Sequence, residues 1–433
     1  MNEALIAIEQ SPKGREMKKT HKVLMLVENV PVPADRRVWP EALALYEQGF
    51  EVSVISPKGI DQYQESYCCI SGIHIYRYRI PEVKNPFIAY LLEYSIAFVM
   101  TFLLSLKVWY RHGFDVIHAA NPPDIFFLLA LFYRPFGKKF IFDQHDPSPE
   151  LFQVKFRHHL PPLYRLLLFL EWCSYRTAQL VVTSNQSQKY FAITRGHCRP
   201  DQVFVVRNGP NLKHMRSVAF EPQLKRGRPY LLGYVGLMEV QDGVENCLLA
   251  LHELIYKRGR RDVSLVLMGD GSQFARLNEQ AHELELDEYV TFTGFAQLDD
   301  VLRYLTAADI GLIPDPQNGM NEYCTMIKTM EYMAMGLPIV AFDLTETRYS
   351  AQDAGLYARP NSIEDFADRI ETLLDDEELR LRMGEIGRRR VEEELQWSET
   401  RKNLFLAYET LFSSDVSTDK TSTQPEAREL TGV

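Results

Sequence analysis

Paired cysteines are missing from this sequence. Its six cysteines (Cys68, Cys69, Cys173, Cys198, Cys247 and Cys324) are scattered without a CxxC spacing. That excludes a zinc ribbon and a disulfide framework, and fits free buried thiols in a reducing compartment. An excess of positive charge is missing too. The formal net charge of −10 argues against general nucleic-acid binding, which needs a basic surface to release counterions. The first 20 residues are polar and mixed in charge, without a signal-peptide pattern, so the expectation is a cytoplasmic protein. No solenoid-period repeat and no GxGxxG fingerprint occurs, and Gly269-Asp270-Gly271 alone does not indicate a dinucleotide. Long apolar runs are nearly absent. The exception is Pro86 to Leu106 (PFIAYLLEYSIAFVMTFLLSL), with Glu93 the single charge in 21 residues. Length alone permits a membrane span. The run lies between two strand-like segments, where an α/β domain needs a crossover helix, and it ends amphipathically in KVWYRHGFD. It is read as a helix that is buried or lies on a membrane surface, rather than as a span.

What is present is the composition of a soluble globular chain, 46% hydrophobic and 24% charged over 433 residues. That length suits two domains of roughly 200 residues each. Charge is uneven along it. The window Leu131 to Pro200 holds ten Lys/Arg and four Asp/Glu, a balance of +6, which suits anionic lipid or phosphate, or equally a solvated face.

Strand-like and helical segments alternate twice. HKVLMLVENV, EVSVIS, IHIYRYRI, FDVIHAAN, KKFIFDQHD, LVVTSN and VFVVRNG form the first series, with helical stretches between most of them. YLLGYVG, VSLVLMGDG, YVTFTGF, IGLIPD, PIVAFD and GLYARP form the second. This pattern predicts an α/β protein of two doubly wound Rossmann-like domains facing across a cleft. The expected division is a disordered lead over 1–20, an N-terminal domain over 21–209 and a polar linker over 210–229. A second domain over 230–395 follows, then a helix over 396–414 returning to the first domain and a disordered tail over 415–433. In open α/β sheets ligands bind outside the carboxyl ends of the strands, so the loops there are the candidate site.

Glu331 sits in NEYCTMIKTMEYMAMGLPIVAFD, in a helix whose other positions are apolar or small. A carboxylate there suits a bidentate grip on a ribose diol; the other reading is an acid placed to complement the helix dipole. FDQHDPSPE sets Asp143, His145, Asp146 and Glu150 at and just after a strand end. His145 is a candidate to position an acceptor hydroxyl or act as a base, or to tie neighbouring loops together. Asp143 and Asn121 are candidates for the acceptor side, while His118, inside a strand, reads as a satisfied core histidine. Gly236 ends a strand, where lacking a side chain lets backbone amides approach a phosphate or simply allows a tight turn.

The run MEYMAMGLPIVAFD resembles the signature of family 4 retaining glycosyltransferases, in which a Glu-x7-Glu motif precedes a Met-Ala-x-Gly-x-Pro-Val turn. The resemblance extends from about Lys22 to Leu411 through DVIHAANPPD, FDQHDPSPE, VVRNGP, GYVG, LMGDG, FTGF and ADIGLIPD. It implies a GT-B fold, a nucleotide-sugar donor held by the C-terminal domain, no metal and no other cofactor, and retention of anomeric configuration. The departing phosphate oxygen then helps to take the acceptor's proton. Glu331 matches the second motif glutamate, which grips the ribose. The first falls at Tyr323, with Glu322 one place early as its candidate substitute. The arginine and lysine that neutralise the donor diphosphate are replaced by Leu237 and Asp242. Substitute cations are Lys328, one helical turn before Glu331, Arg36 or Arg37 after the first strand, and Arg207 at a strand end. The partners implied are a nucleotide sugar and a saccharide or lipid-linked acceptor in polysaccharide assembly, with peripheral membrane contact through the N-terminal domain and no nucleic acid. Two other readings stand beside this one. One is a catalytically silent, transferase-like scaffold that binds nucleotide sugar. The other is a hydrolysing nucleotide-sugar epimerase, which shares the architecture and needs converging acids and histidines.

Overall fold

A computed structural model describes residues 21–59, 62–80, 86–155 and 161–418. The lead expected over 1–20, and the expected tail from residue 419 on, lie outside the described residues. The chain divides into two compact units, residues 1–141 and 142–433.

The first unit runs β1 (Lys22–Leu26), α1 (Val38–Glu47), β2 (Glu51–Pro57), β3 (Tyr67–Ile70), β4 (Ile73–Tyr78), α2 (Pro86–Arg111), β5 (Val116–Ala120) and α3 (Phe127–Tyr133). The division falls within the next strand, β6 (Lys139–Gln144). The first five strands lie in the order β3-β4-β2-β1-β5. β1 runs parallel to β2 and β5, β2 runs parallel to β4, and β3 is an antiparallel edge. β1 and β5 are buried almost throughout, as the centre of a parallel sheet covered on both faces requires.

Helix α2 is amphipathic in an unusual sense. Ala97, Thr101, Ser105 and Val108 form a buried stripe, and the helix packs on β2 and β4. Leu92, Val99, Leu103 and Tyr110 form an exposed apolar one. The stretch Leu92–Arg111 is long and apolar enough to cross a membrane by length and composition alone.

The second unit opens with α4 (Ser148–Lys155), α5 (Pro161–Thr177), β7 (Leu180–Thr183), α6 (Gln186–Thr194) and β8 (Val203–Val205), with β7 and β8 parallel. It continues with β9 (Tyr230–Val235), α7 (Glu245–His252), β10 (Val263–Met268), α8 (Phe274–Glu283), β11 (Val290–Gly294), α9 (Leu298–Ala307) and β12 (Ile310–Ile313). Then come α10 (Ile327–Ala334), β13 (Ile339–Phe342), α11 (Thr345–Ala351), β14 (Gly355–Ala358), α12 (Ile363–Asp375), α13 (Glu377–Arg390) and α14 (Trp397–Thr418). The strands β9 to β14 form one sheet in the order β11-β10-β9-β12-β13-β14, parallel at every pairing.

Alternate residues of these strands feed two cores, because successive side chains of a strand point to opposite faces. Leu232, Tyr234, Leu265, Leu267, Leu312, Val340 and Phe342 join α7, α8 and α12 on one side. Leu231, Val266, Met268, Ile313, Ile339 and Ala341 join α9 and α10 on the other. Helix α12 meets its core through Phe366, Ala367, Ile370, Leu373 and Leu374, a stripe at helical spacing, and starts at Ser362, whose side chain accepts from the Asp365 amide.

Residues 210–229, read from sequence as a polar linker, are tied down. Met215 is buried, Lys225 Nζ meets Asp309 at 2.7 Å, and Arg303 pairs with Glu221 at 2.6 Å. Helix α14 packs against β7 and β8, where Asn403 Nδ2 donates to the Val205 carbonyl at 2.8 Å.

Candidate functional site

Strand order reverses where β9 lies between β10 and β12, so the loops leaving β9 and β12 diverge and open a crevice at their carboxyl ends. Helix α10 is docked against those ends by Tyr332. Its phenol accepts from the Val235 amide at 2.9 Å and donates to the Leu312 carbonyl at 3.3 Å. Gly311 makes room for it, since a Cβ there would stand 2.5 Å from the Tyr332 ring. Gly336, at φ +74°, follows α10 in the left-handed conformation that helix C-termini favour. Docked in this way, α10 sets Lys328 in its first turn and Glu331 one turn on, on the same side of the helix.

Lys328 is buried among acids. Its Nζ is 2.9 Å from Asp315 Oδ2 and 3.9 Å from Asp242 Oδ1. It also lies 3.5 Å from the Tyr234 hydroxyl and 4.7 Å from that ring's centroid. Burial works against the Lys328 charge, yet Asp315 and Asp242 outweigh it and hold its pKa above the ordinary lysine value. Asp242 is pushed up to about 6 by burial, against the pull of Lys328 and with Asp315 adding to the rise. Burial also raises the Tyr234 phenol well above its ordinary range.

Gly236 leaves β9 at φ +153°, and a Cβ on it would meet the Tyr234 hydroxyl at 3.0 Å and Lys328 Nζ at 3.8 Å. Without a side chain it leaves the space beside the ammonium unfilled. Its own amide donates to the Met268 carbonyl at 3.0 Å and so is committed to the fold. Gly269 meets it from β10, where any Cβ would collide with the Gly236 carbonyl.

The other residues singled out from sequence fall in several settings. Glu331 is buried. Glu322 accepts from the Thr345 amide at 3.2 Å and from the Thr345 hydroxyl, which ties it to the start of α11. Tyr323, at the first motif position, packs edge-on against Phe191 at 4.8 Å. Arg207, expected as a phosphate cation, is engaged elsewhere. Its guanidinium pairs with buried Glu346 at 3.1 Å, reaches Ser350 and Thr325, and lies over the Tyr349 ring at 4.5 Å. Arg36 is exposed, whereas Arg37 is buried 3.4 Å from Glu41 within α1. The same Glu41 lies 3.6 Å from His118 Nε2, which agrees with a core role for that histidine. Asn121 donates to Asp124 at 2.9 Å inside the first unit. His145 and Asp143 do form a pair: Nε2 meets Oδ2 at 2.7 Å, with Asp143 fully buried and His145 partly exposed. A carboxylate in that position orients an imidazole, the arrangement a general base uses.

Sequence reasoning missed Asp315 and the role of Asp242 as a partner of Lys328. The signal was the acid that closes IGLIPD, two residues past the carboxyl end of a parallel strand.

Comparisons with known proteins agree with this fold. The sequence profile described as Glycosyltransferase Family 4 matches residues 34–214, and that described as Glycosyl transferases group 1 matches residues 229–376. The chain is 32% identical over 160 residues to alpha-D-kanosaminyltransferase of Streptomyces kanamyceticus, a stretch amounting to 36% of this chain and 39% of that protein. Sucrose-phosphate synthase from Thermosynechococcus elongatus has the same fold, with a TM-score of 0.73 at 18% identity over 91% of this chain and 100% of that one. Anabaena HepE, solved in complex with UDP and glucose, gives a TM-score of 0.65 at 16% identity, over 91% of this chain and 100% of its own.

Proposed function

The chain belongs to the family 4 glycosyltransferases of GT-B fold, and from that premise we propose that it transfers a sugar, with retention of configuration, from a nucleotide-sugar donor to a saccharide acceptor. The observation that carries the reading is the pairing of Lys328 and Glu331 one turn apart on α10, at the strand-order reversal where α/β sheets bind ligands. Glu331 suits the ribose diol and Lys328 the diphosphate. His145, oriented by Asp143, suits the acceptor hydroxyl. In the step proposed, the acceptor oxygen bonds to the anomeric carbon as the bond from that carbon to the phosphate oxygen breaks. The acceptor's proton passes to the departing diphosphate, so no carboxylate nucleophile is required. The reading invokes no metal.

The acceptor proposed is a lipid-linked saccharide met at a membrane surface, in polysaccharide assembly. The exposed stripe of Leu92, Val99, Leu103 and Tyr110 on α2 supports it.

The test is a thermal-shift panel of nucleoside diphosphates and nucleotide sugars, followed by transfer assays. Glu331→Ala is expected to weaken donor affinity by about tenfold to a hundredfold, through loss of charge-assisted hydrogen bonds. Unchanged binding and turnover in that variant would overturn the reading. One observation favours a second reading, a silent nucleotide-sugar-binding scaffold: Asp242 stands where the resemblance calls for a lysine. Donor binding without transfer to any acceptor, and without donor hydrolysis, would decide for it.

A further inference from the structure

In the crevice between β9 and β12 one buried cation faces two carboxylates. Asp315 touches the Lys328 ammonium at 2.9 Å and is wholly buried, while Asp242 stands off at 3.9 Å with 17% of its side chain exposed. Asp242 ends a short 3-10 turn (Val240–Asp242) and accepts from the Glu239 amide at 3.1 Å. Asp315 is therefore the fixed partner and Asp242 the loose one. A diphosphate drawn to Lys328 would bring more negative charge to a group already shared by two acids. Like charges this close in a buried site are not all kept ionised; one of them takes up a proton.

Resting on the donor reading above, the geometry points to proton-coupled donor binding: Asp242 takes a proton from solvent as the diphosphate settles beside Lys328, while Asp315 stays ionised and holds the ammonium in position. Once protonated, Asp242 changes from acceptor to donor and can direct its hydroxyl to a phosphate oxygen. The groups that act on it are Lys328 from α10, Asp315 beyond β12 and Glu239 from its own turn, and it acts in turn on Tyr234 from β9, which Glu245 and Cys247 from α7 also face. Helix α4 also packs on the turn and carries Glu150, which is engaged with Arg195 at 2.6 Å. Burial raises Asp315 as well as Asp242, which sits at about 6, but Asp315 is held by its 2.9 Å contact with the ammonium, so Asp242, standing off at 3.9 Å, is the acid that added negative charge protonates.

The experiment is calorimetric titration of the full chain with UDP-glucose, UDP-N-acetylglucosamine and GDP-mannose in two buffers of different ionisation enthalpy. The diphosphate of a nucleotide sugar does not titrate near neutrality, so any proton exchanged belongs to the protein. At pH 7.5, uptake approaching one proton per bound nucleotide sugar is expected, and affinity should rise about tenfold as pH falls from 8 to 7. Asp242→Asn is expected to take up no proton, to bind with affinity independent of pH, and to bind about a hundredfold more tightly than the native chain at pH 8. Asp315→Asn is expected to keep the uptake and to lower kcat, because the ammonium loses its anchor. Binding without proton uptake, or uptake that survives in Asp242→Asn, overturns the coupling and leaves the donor reading intact. Should none of the three nucleotide sugars bind at any pH, the donor reading falls and the coupling with it. The proton count on the native chain needs no variant, so a poorly folding Asp242→Asn does not remove the test.

Discussion

Two buried charge clusters in the unit 142–433 use similar parts and come out differently. At the first, Arg207 meets Glu346 with matched charge. The second carboxylate oxygen of Glu346 is filled by the Ser187 amide at 3.1 Å and hydroxyl at 2.7 Å, and Tyr349 covers the guanidinium. At the second, Lys328 faces both Asp315 and Asp242. A matched and hydrogen-bonded pair is satisfied by the protein itself and acts as a lock between β8, α6 and α11. A mismatched group is left poised to change its protonation when a charged ligand arrives, and strongly perturbed groups of this kind mark functional clefts.

The sharpest way to break this contrast is to remove the cation of the mismatched cluster. Lys328→Met deletes the charge opposite the leaving diphosphate, and transfer should slow by about a thousandfold, equivalent to roughly 4 kcal/mol in the transition state. Steady-state rates at saturating donor check it. A loss confined to KM, with kcat intact, would place Lys328 in ground-state binding only.

Glu346→Ala attacks the matched cluster instead. It strands Arg207 in a buried site, so unfolding stability should fall by about 3 kcal/mol in urea. Turnover by the folded protein should stay within about twofold, since a lock contributes nothing specific to the transition state. Lost turnover at unchanged stability would show that this pair belongs to the chemistry.

Asp242→Asn tests the mismatch from the acid side. The folded-state pKa of Asp242 is raised from 3.8 to about 6. The protonated carboxyl therefore favours the fold below pH ~4, and that contribution is lost as pH rises through about 6. At pH 8 the native chain holds a buried ionised acid that the amide lacks. Asp242→Asn should then be more stable by about 2 kcal/mol at pH 8, with the difference vanishing near pH 4. Stability measured by urea unfolding at both values checks the sign.

These clusters also show how far the residues could be read in advance. The strands were legible, because VSLVLM and PIVAFD are apolar runs bounded by turn residues, and they became β10 and β13. Helix α10 with Lys328 and Glu331 was legible from IKTMEYMAMGLP, since helical spacing and the Gly336 turn are local facts. The ion pairs were not. Arg207 and Glu346 lie 139 residues apart and Lys328 and Asp315 lie 13 apart. Which carboxylate reaches a cation depends on strand order, which local pattern leaves open. The stretch 210–229 looked like a linker for the same reason: its polar side chains are satisfied by distant partners such as Asp309 and Arg303.

Helix α2 carries the same contrast in apolar form, with one stripe satisfied by the protein and one left over. Ser105 Oγ shares a hydrogen bond with the Tyr133 hydroxyl at 2.9 Å on the packed side, while Leu103 is exposed on the other. If the exposed stripe enters the headgroup region of a bilayer, each large side chain there contributes about 1–2 kcal/mol of transfer free energy. Leu103→Gln should therefore weaken sedimentation with anionic vesicles by about tenfold, while folding stability moves by no more than about 0.5 kcal/mol, as expected at a solvent-facing position. A substantial loss of stability would mean that this side of α2 is covered within the folded protein. A native chain that ignores vesicles at low salt would remove the membrane-surface acceptor from the proposal and leave the α10 donor site untouched.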